Sequence, residues 1–158
     1  MLSILLAVAV CVGDRLFKKW VVANIALGAK LNLIDGLIHL TYLQNTGAAF
    51  SMLRDHPEFL TVFTSVLALL LLIAIFRLKL SKAEKLCLGA VLGGAVGNIL
   101  DRATLGYVVD MFEVEFMNFA VFNVGDCFIV CGGILFCILY FIDIVKEEKQ
   151  KKENGDAI

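Results

Sequence analysis

Apolar residues in this chain gather into four long runs separated by polar segments. The first extends from Leu2 to about Val22 and is broken by Asp14, Arg15, Lys18 and Lys19; the second, Phe59 to Phe76, carries no charge. The third covers about 84–101 and is rich in glycine, and the fourth covers about 121–145. Each is close to the ~20 residues that cross a hydrocarbon core of ~30 Å. The pattern therefore predicts an all-α integral membrane protein with four transmembrane helices. Between the runs the periodicity changes. Asn32–Ile34 and Leu37–Leu43 flank Asp35-Gly36, a strong cue for a hairpin. Farther on, Val108, Asp110, Phe112, Val114 and Phe116 alternate with Val109, Met111, Glu113 and Glu115, as in a strand. A small β-sheet or hairpin region at the outer interface is expected, with Asp110 on its more apolar face.

Lysine and arginine set the orientation. Arg77, Lys79, Lys82 and Lys85 crowd the link between the second and third runs, and Lys146, Lys149, Lys151 and Lys152 crowd the tail. The other connections are poorer in cations, so the positive-inside rule puts both termini in the cytoplasm. Segments 23–57 and 103–120 then face outward. The expected organisation is one membrane domain over 1–145 and a charged cytoplasmic tail over 146–158, frayed beyond Val145. The Ala7-Val8-Ala9 triplet resembles a signal-peptide cleavage site. No basic stretch precedes it and little apolar core would lie upstream, so the first run reads as a retained helix.

Composition sharpens this picture. The chain is 60% hydrophobic and 18% charged, with a mean hydropathy of +0.88; soluble domains carry about a quarter charged residues. The net charge of −1 gives no basic field for nucleic acid. Five cysteines, all in or beside apolar runs, read as packing residues and not as a disulfide framework. His39 and His56 have no second ligand at a metal-like spacing, so no metal is assigned.

The candidate chemistry lies where polar groups enter the spans, because ionisable residues there are costly and default to function. Asp14 and Lys18 are four apart on one face of the first helix, either as a structural ion pair or as part of a site. Arg15 and Lys19 form a second stripe that snorkels toward the interface. In the third helix Gly89, Gly93 and Gly97 make a packing stripe, joined by Ala90 and Gly94. The stripes lead into Asn98, Asp101 and Arg102, and Arg102 is suited to anchoring a carboxylate or a peptide carbonyl. Asn45-x-Gly47 follows the hairpin. Asp126 stands three residues after Asn123 and can cap the fourth helix. Capping does not account for Asp110. If Asp110 and Asp126 converge, two carboxylates in a low-dielectric site share a proton. One can activate water while the other donates to a scissile carbonyl. Val108, Phe112 and Val114 would fence that site. The rival readings are a small proton-coupled transporter and a non-enzymatic membrane scaffold. The first wants polar residues through the whole membrane depth, and the second leaves the outward polar cluster without a purpose.

Five stretches carry a resemblance. Asp14-x-x-x-Lys18, Asn45-x-Gly47-Ala48-Ala49-Phe50, Gly93-Gly94-Ala95-x-Gly97-Asn98-x-x-Asp101-Arg102, Val109-Asp110 and Phe122-Asn123-x-x-Asp126 stand in the order seen in bacterial lipoprotein signal peptidases. The resemblance covers nearly the whole chain up to the tail. It implies an intramembrane aspartyl peptidase of the bacterial cytoplasmic (inner) membrane, working without a cofactor and as a monomer among membrane lipids. Its substrate would be a diacylglyceryl-modified prolipoprotein, cut on the N-terminal side of the lipidated cysteine. Asp110 and Asp126 match the catalytic pair. Asn45, Gly47, Asn98, Arg102 and Asn123 match positions around the substrate, and Asp14 and Lys18 match the polar pair of the first helix. Gly125 departs from the expected alanine and is expected to loosen the start of the fourth helix.

Overall fold

The computed structural model describes residues 1–47 and 57–155. Its elements are α1 (Leu2–Asn24), β1 (Lys30–Ile34), β2 (Ile38–Asn45), α2 (Pro57–Arg77), α3 (Lys82–Leu105), β3 (Val108–Val114) and α4 (Val124–Gly155). Among the described residues, three helical stretches are long and apolar enough to cross a membrane: Glu58–Arg77, Lys82–Leu105 and Val124–Lys152. The chain is thus a mostly helical, multi-pass membrane protein with a small sheet. The charges of α1 set it apart from the other three helices. It buries Ser3, Ala7, Val10, Asp14, Lys18 and Val21 along one stripe and exposes Leu2, Leu5, Val8, Val12 and Leu16. That is the inverse of a soluble helix: apolar residues face outward and the ion pair faces the protein.

The hub is α3, which packs against α1, α2 and α4. It is bounded by a Ser81–Glu84 capping box and by Gly106, whose φ of 81° is the left-handed stop. The glycine stripe predicted for it is a packing face. A Cβ on Gly89 would run into the backbone of Ser3, one on Gly93 into Ala7, and one on Gly94 into the carbonyl of Gly125. On α4 the expectation of a frayed tail does not hold: the helix continues past the apolar run to Gly155. The tail is made mostly of Lys, Glu and Gln, all good helix formers.

The predicted hairpin is β1–β2, and β3 adds to β2 to give an antiparallel sheet of order β1-β2-β3. Beyond the alternation read from the sequence, both faces of β3 are covered at its start. Val108, Val109, Asp110 and Met111 are all buried. The C-terminal end of α1 covers one face, where Val21 and Ile25 cluster with Leu40, Tyr42, Val109 and Met111. The other face, with Val108 and Asp110, looks into a cavity. Glu113 and Glu115 lie beyond this cover, which is why that face reads as the polar one in sequence.

Candidate active site

Two local structures bring the aspartates together. Asp110 lies in β3 opposite Leu43, and Asn45 at the end of β2 pairs with Val108. After β3 the chain returns. The Phe122 carbonyl accepts from the amides of Met111 and Phe112 (3.0 and 2.8 Å), and the Phe122 amide donates to the Phe112 carbonyl at 3.1 Å. This return sets Asn123 beside Asp110, and the helix that starts there carries Asp126. Asn123 and Asp126 cap α4 reciprocally. The Asp126 amide donates to Asn123 Oδ1 at 2.9 Å, and the Asn123 amide donates to Asp126 Oδ2 at 3.1 Å. Asp126 is therefore a cap and a site residue at once. Gly125 does not loosen this start. Its amide donates to Asp14 Oδ1 at 2.8 Å, and a Cβ there would meet Asn123 Oδ1 at 3.0 Å and the Gly94 carbonyl at 3.1 Å.

The side chains form one continuous network. Asn123 Nδ2 donates to Asp110 Oδ1 at 2.7 Å, and Asn45 Nδ2 donates to Asp110 Oδ2 at 2.8 Å. Asn45 Oδ1 accepts from the Gly47 amide at 2.9 Å, and Arg102 Nη2 donates to the Gly47 carbonyl at 2.8 Å. Arg102 thus holds a peptide carbonyl, as its chemistry suggests, but one of the chain itself. Asn98 Nδ2 donates to Asp126 Oδ1 at 2.8 Å. Burial, followed by the charge of Asp126, pushes the Asp110 carboxyl up to about 7, against the opposing pull of its two amide donors.

Asn45, Asn98, Arg102, Asp110, Asn123 and Asp126 line a cavity of about 440 Å³. Its remaining wall is apolar, with Val108, Phe119, Val121, Phe122, Ile129 and Val130 among its residues. Of the three residues expected to fence the site, Val108 does line it. Phe112 instead stacks on Phe17 and tilts against Phe122, with ring centroids 5.9 and 5.6 Å apart, and Phe122 forms the wall. Ala48, Ala49 and Phe50 lie outside the described residues.

Asp14 and Lys18 lie behind this cavity and do not line it. Lys18 Nζ is 2.7 Å from Asp14 Oδ2 and 3.0 Å from Asp101 Oδ2, and it donates to Asn98 Oδ1 at 2.8 Å. The sequence placed Asp101 among the polar residues of the third helix and Arg15 in a snorkelling stripe, but did not pair them. Asp101, 3% exposed, also takes Arg15 Nη1 at 3.2 Å, so Arg15 does not simply snorkel. The available signal was that Asp101 continues the glycine stripe facing α1.

The fold is shared with solved enzymes. One structure, described as a bacterial membrane enzyme solved by the in meso method at 2.3 Å, superposes with a TM-score of 0.84 at 26% identity, covering 90% of this chain and 88% of that one. A second of the same description, at 1.9 Å, gives 0.80 at 26% identity over 87% and 91%. Fold and site thus define a helical membrane enzyme. The sequence profile described as Signal peptidase (SPase) II matches residues 6–142. The lipoprotein signal peptidase of Latilactobacillus sakei subsp. sakei (strain 23K) is 41% identical over 94% of this chain and 97% of its own. That of Streptococcus pyogenes serotype M2 (strain MGAS10270) is 43% identical over 87% and 89%. The chain belongs to the signal peptidase II family and is a peptidase.

Proposed function

We propose that this chain is an intramembrane aspartyl endopeptidase that removes the signal peptide from diacylglyceryl-modified prolipoproteins, cutting on the N-terminal side of the lipidated cysteine. The observation that carries the reading is the pair Asp110 and Asp126 on the wall of one cavity, with Asn123 bonded to both. With Asp110 near 7, the pair holds one proton around neutral pH. The ionised carboxylate takes a proton from water, whose oxygen attacks the scissile carbonyl carbon while the protonated partner donates to the carbonyl oxygen. The C–N bond of the resulting gem-diol breaks as the carboxyl that took the water's proton passes it to the leaving nitrogen, while the other, now ionised, takes back a proton from a gem-diol hydroxyl. Arg102, Asn45 and Asn98 lie at the polar end, where they can position a substrate backbone. The apolar wall suits acyl chains and a signal helix.

In this reading the chain has four spans, with α1 crossing beside α3 and its charges turned inward. Both termini then lie in the cytoplasm of a bacterial cell, and the dyad opens toward the outer face of the cytoplasmic membrane. One copy suffices, since every group named comes from one chain.

The test uses purified protein in detergent with a diacylglyceryl prolipoprotein, following signal-peptide release. Asp110→Asn and Asp126→Asn keep the shape and remove the shared acid–base function, so each should lower the rate by about 10²–10⁴-fold or more. Wild-type cleavage by either folded variant overturns the assignment.

A further inference from the structure

Lys18 is 2% exposed, and among the described residues it is held by three acceptors: Asp14, Asp101 and Asn98 Oδ1. It does not line the catalytic cavity, so it acts on no substrate directly. A structural ion pair would need only the two carboxylates. The third contact is with a side chain whose other end reaches Asp126.

We propose, resting on the function proposed above, that Lys18 is a positioning residue for catalysis: it fixes the Asn98 amide so that Nδ2 faces Asp126 and holds that carboxylate as the water-activating member of the pair. The physical basis is the asymmetry of the two groups. An ammonium only donates and an amide has one accepting end, so Lys18 dictates which end of Asn98 it meets. The reversed amide would set NH₂ against NH₃⁺ and oxygen against carboxylate. With Asn98 fixed, both Asp126 oxygens receive N–H donors, from Asn98 and from the Asn123 amide, at the first turn of α4. Two fixed donors hold the carboxylate in one orientation at the cavity wall. Asp110 also accepts two amide donors and differs in burial: at 1% exposure it is enclosed, whereas Asp126 is partly exposed.

The charged groups around Asp126 come from three elements. Asp110 projects from β3, Arg102 and Asp101 stand on α3, and Asp14 and Lys18 stand on α1. Asp14, Asp101, Arg15 and Lys18 balance as a group, so removing Lys18 alone would leave one negative charge in excess. The double variant Lys18→Met/Asp14→Asn removes one charge of each sign. The amide that Asp14→Asn introduces keeps an oxygen able to accept from the Gly125 N–H.

The experiment measures kcat and KM for this double variant in detergent, alongside its melting temperature. The expected result is a fall in kcat of at least tenfold with KM within about twofold. Asn98→Ala leaves the ion cluster intact and should show the same split, so the idea can be tested even if the double variant does not fold. A kcat within about twofold of wild type in Asn98→Ala, or in a folded double variant, overturns the inference. Full activity of Asp126→Asn would overturn the dyad reading instead, so the two failures are distinguishable.

Discussion

At the scale of single residues, the site is built from asparagines that each serve two masters. Asn45 ties Asp110 to the Gly47 turn, Asn98 ties Asp126 to Lys18, and Asn123 ties the aspartates to each other. Asn45 gives a prediction with a defined sign. Its N–H stabilises the ionised form of Asp110, whose carboxyl sits near 7. Asn45→Ala removes that donor, so the protonated form persists to higher pH. If Asp110 is the proton donor, activity falls as pH rises through about 7 in the wild type. In Asn45→Ala this basic limb of kcat/KM should move upward. A limb that stays in place or moves downward would show that Asp110 does not set it. The same raised value bears on folding. The Asp110 contribution to stability is fully present below the ordinary carboxylate value and is lost as pH rises through about 7.

At the scale of elements, the site depends on how closely α3 approaches α1 and α4. Asp14 fits beneath Asn98 because Gly97 has no side chain; a Cβ there would lie 2.6 Å from Asp14 Oδ2. Gly94 and Gly125 meet backbone to backbone. Gly94→Ala should therefore destabilise the protein by about 1–3 kcal/mol, the usual range for overpacking a filled interior. Gly133, also in α4, has open space where a Cβ would go. Gly133→Ala should stabilise it by up to ~1 kcal/mol through helix propensity alone. Chemical or thermal denaturation in one detergent checks both. A Gly94→Ala variant as stable as wild type would mean that the helices can part at no cost.

At the scale of the whole molecule, the apolar helices, the hairpin and the gathering of polar residues at one end of α3 were legible from the pattern of residues. The joining of β3 to β2 was not, because strand partnership depends on tertiary contacts that local alternation does not encode. The same limit hid the return of Phe122 onto β3, which makes the two aspartates neighbours. Asp110 stood out from the alternation, yet its setting was only half visible, since the cover over Val109 and Met111 comes from α1. Asp14 and Lys18 were found as a pair, but their distance from the cavity and their link through Asn98 required three-dimensional packing. The orientation also has a direct test. Single cysteines on a background with the five native ones replaced can be labelled from outside intact cells with an impermeant thiol reagent. A cysteine at Lys30 should react, whereas cysteines at Lys79 and Lys151 should react only after permeabilisation. Labelling of Lys79→Cys in intact cells would invert the topology.

Asn123, bonded to both acids, has a consequence for anyone who wishes to adapt such an enzyme. A change at that position disturbs both halves of the pair together, so it is a poor dial for altering the working pH. The useful handles on the proposed dyad are the outlying amides, because Asn45 bonds Asp110 and Asn98 bonds Asp126. Substitutions around those two residues act on one half of the pair at a time.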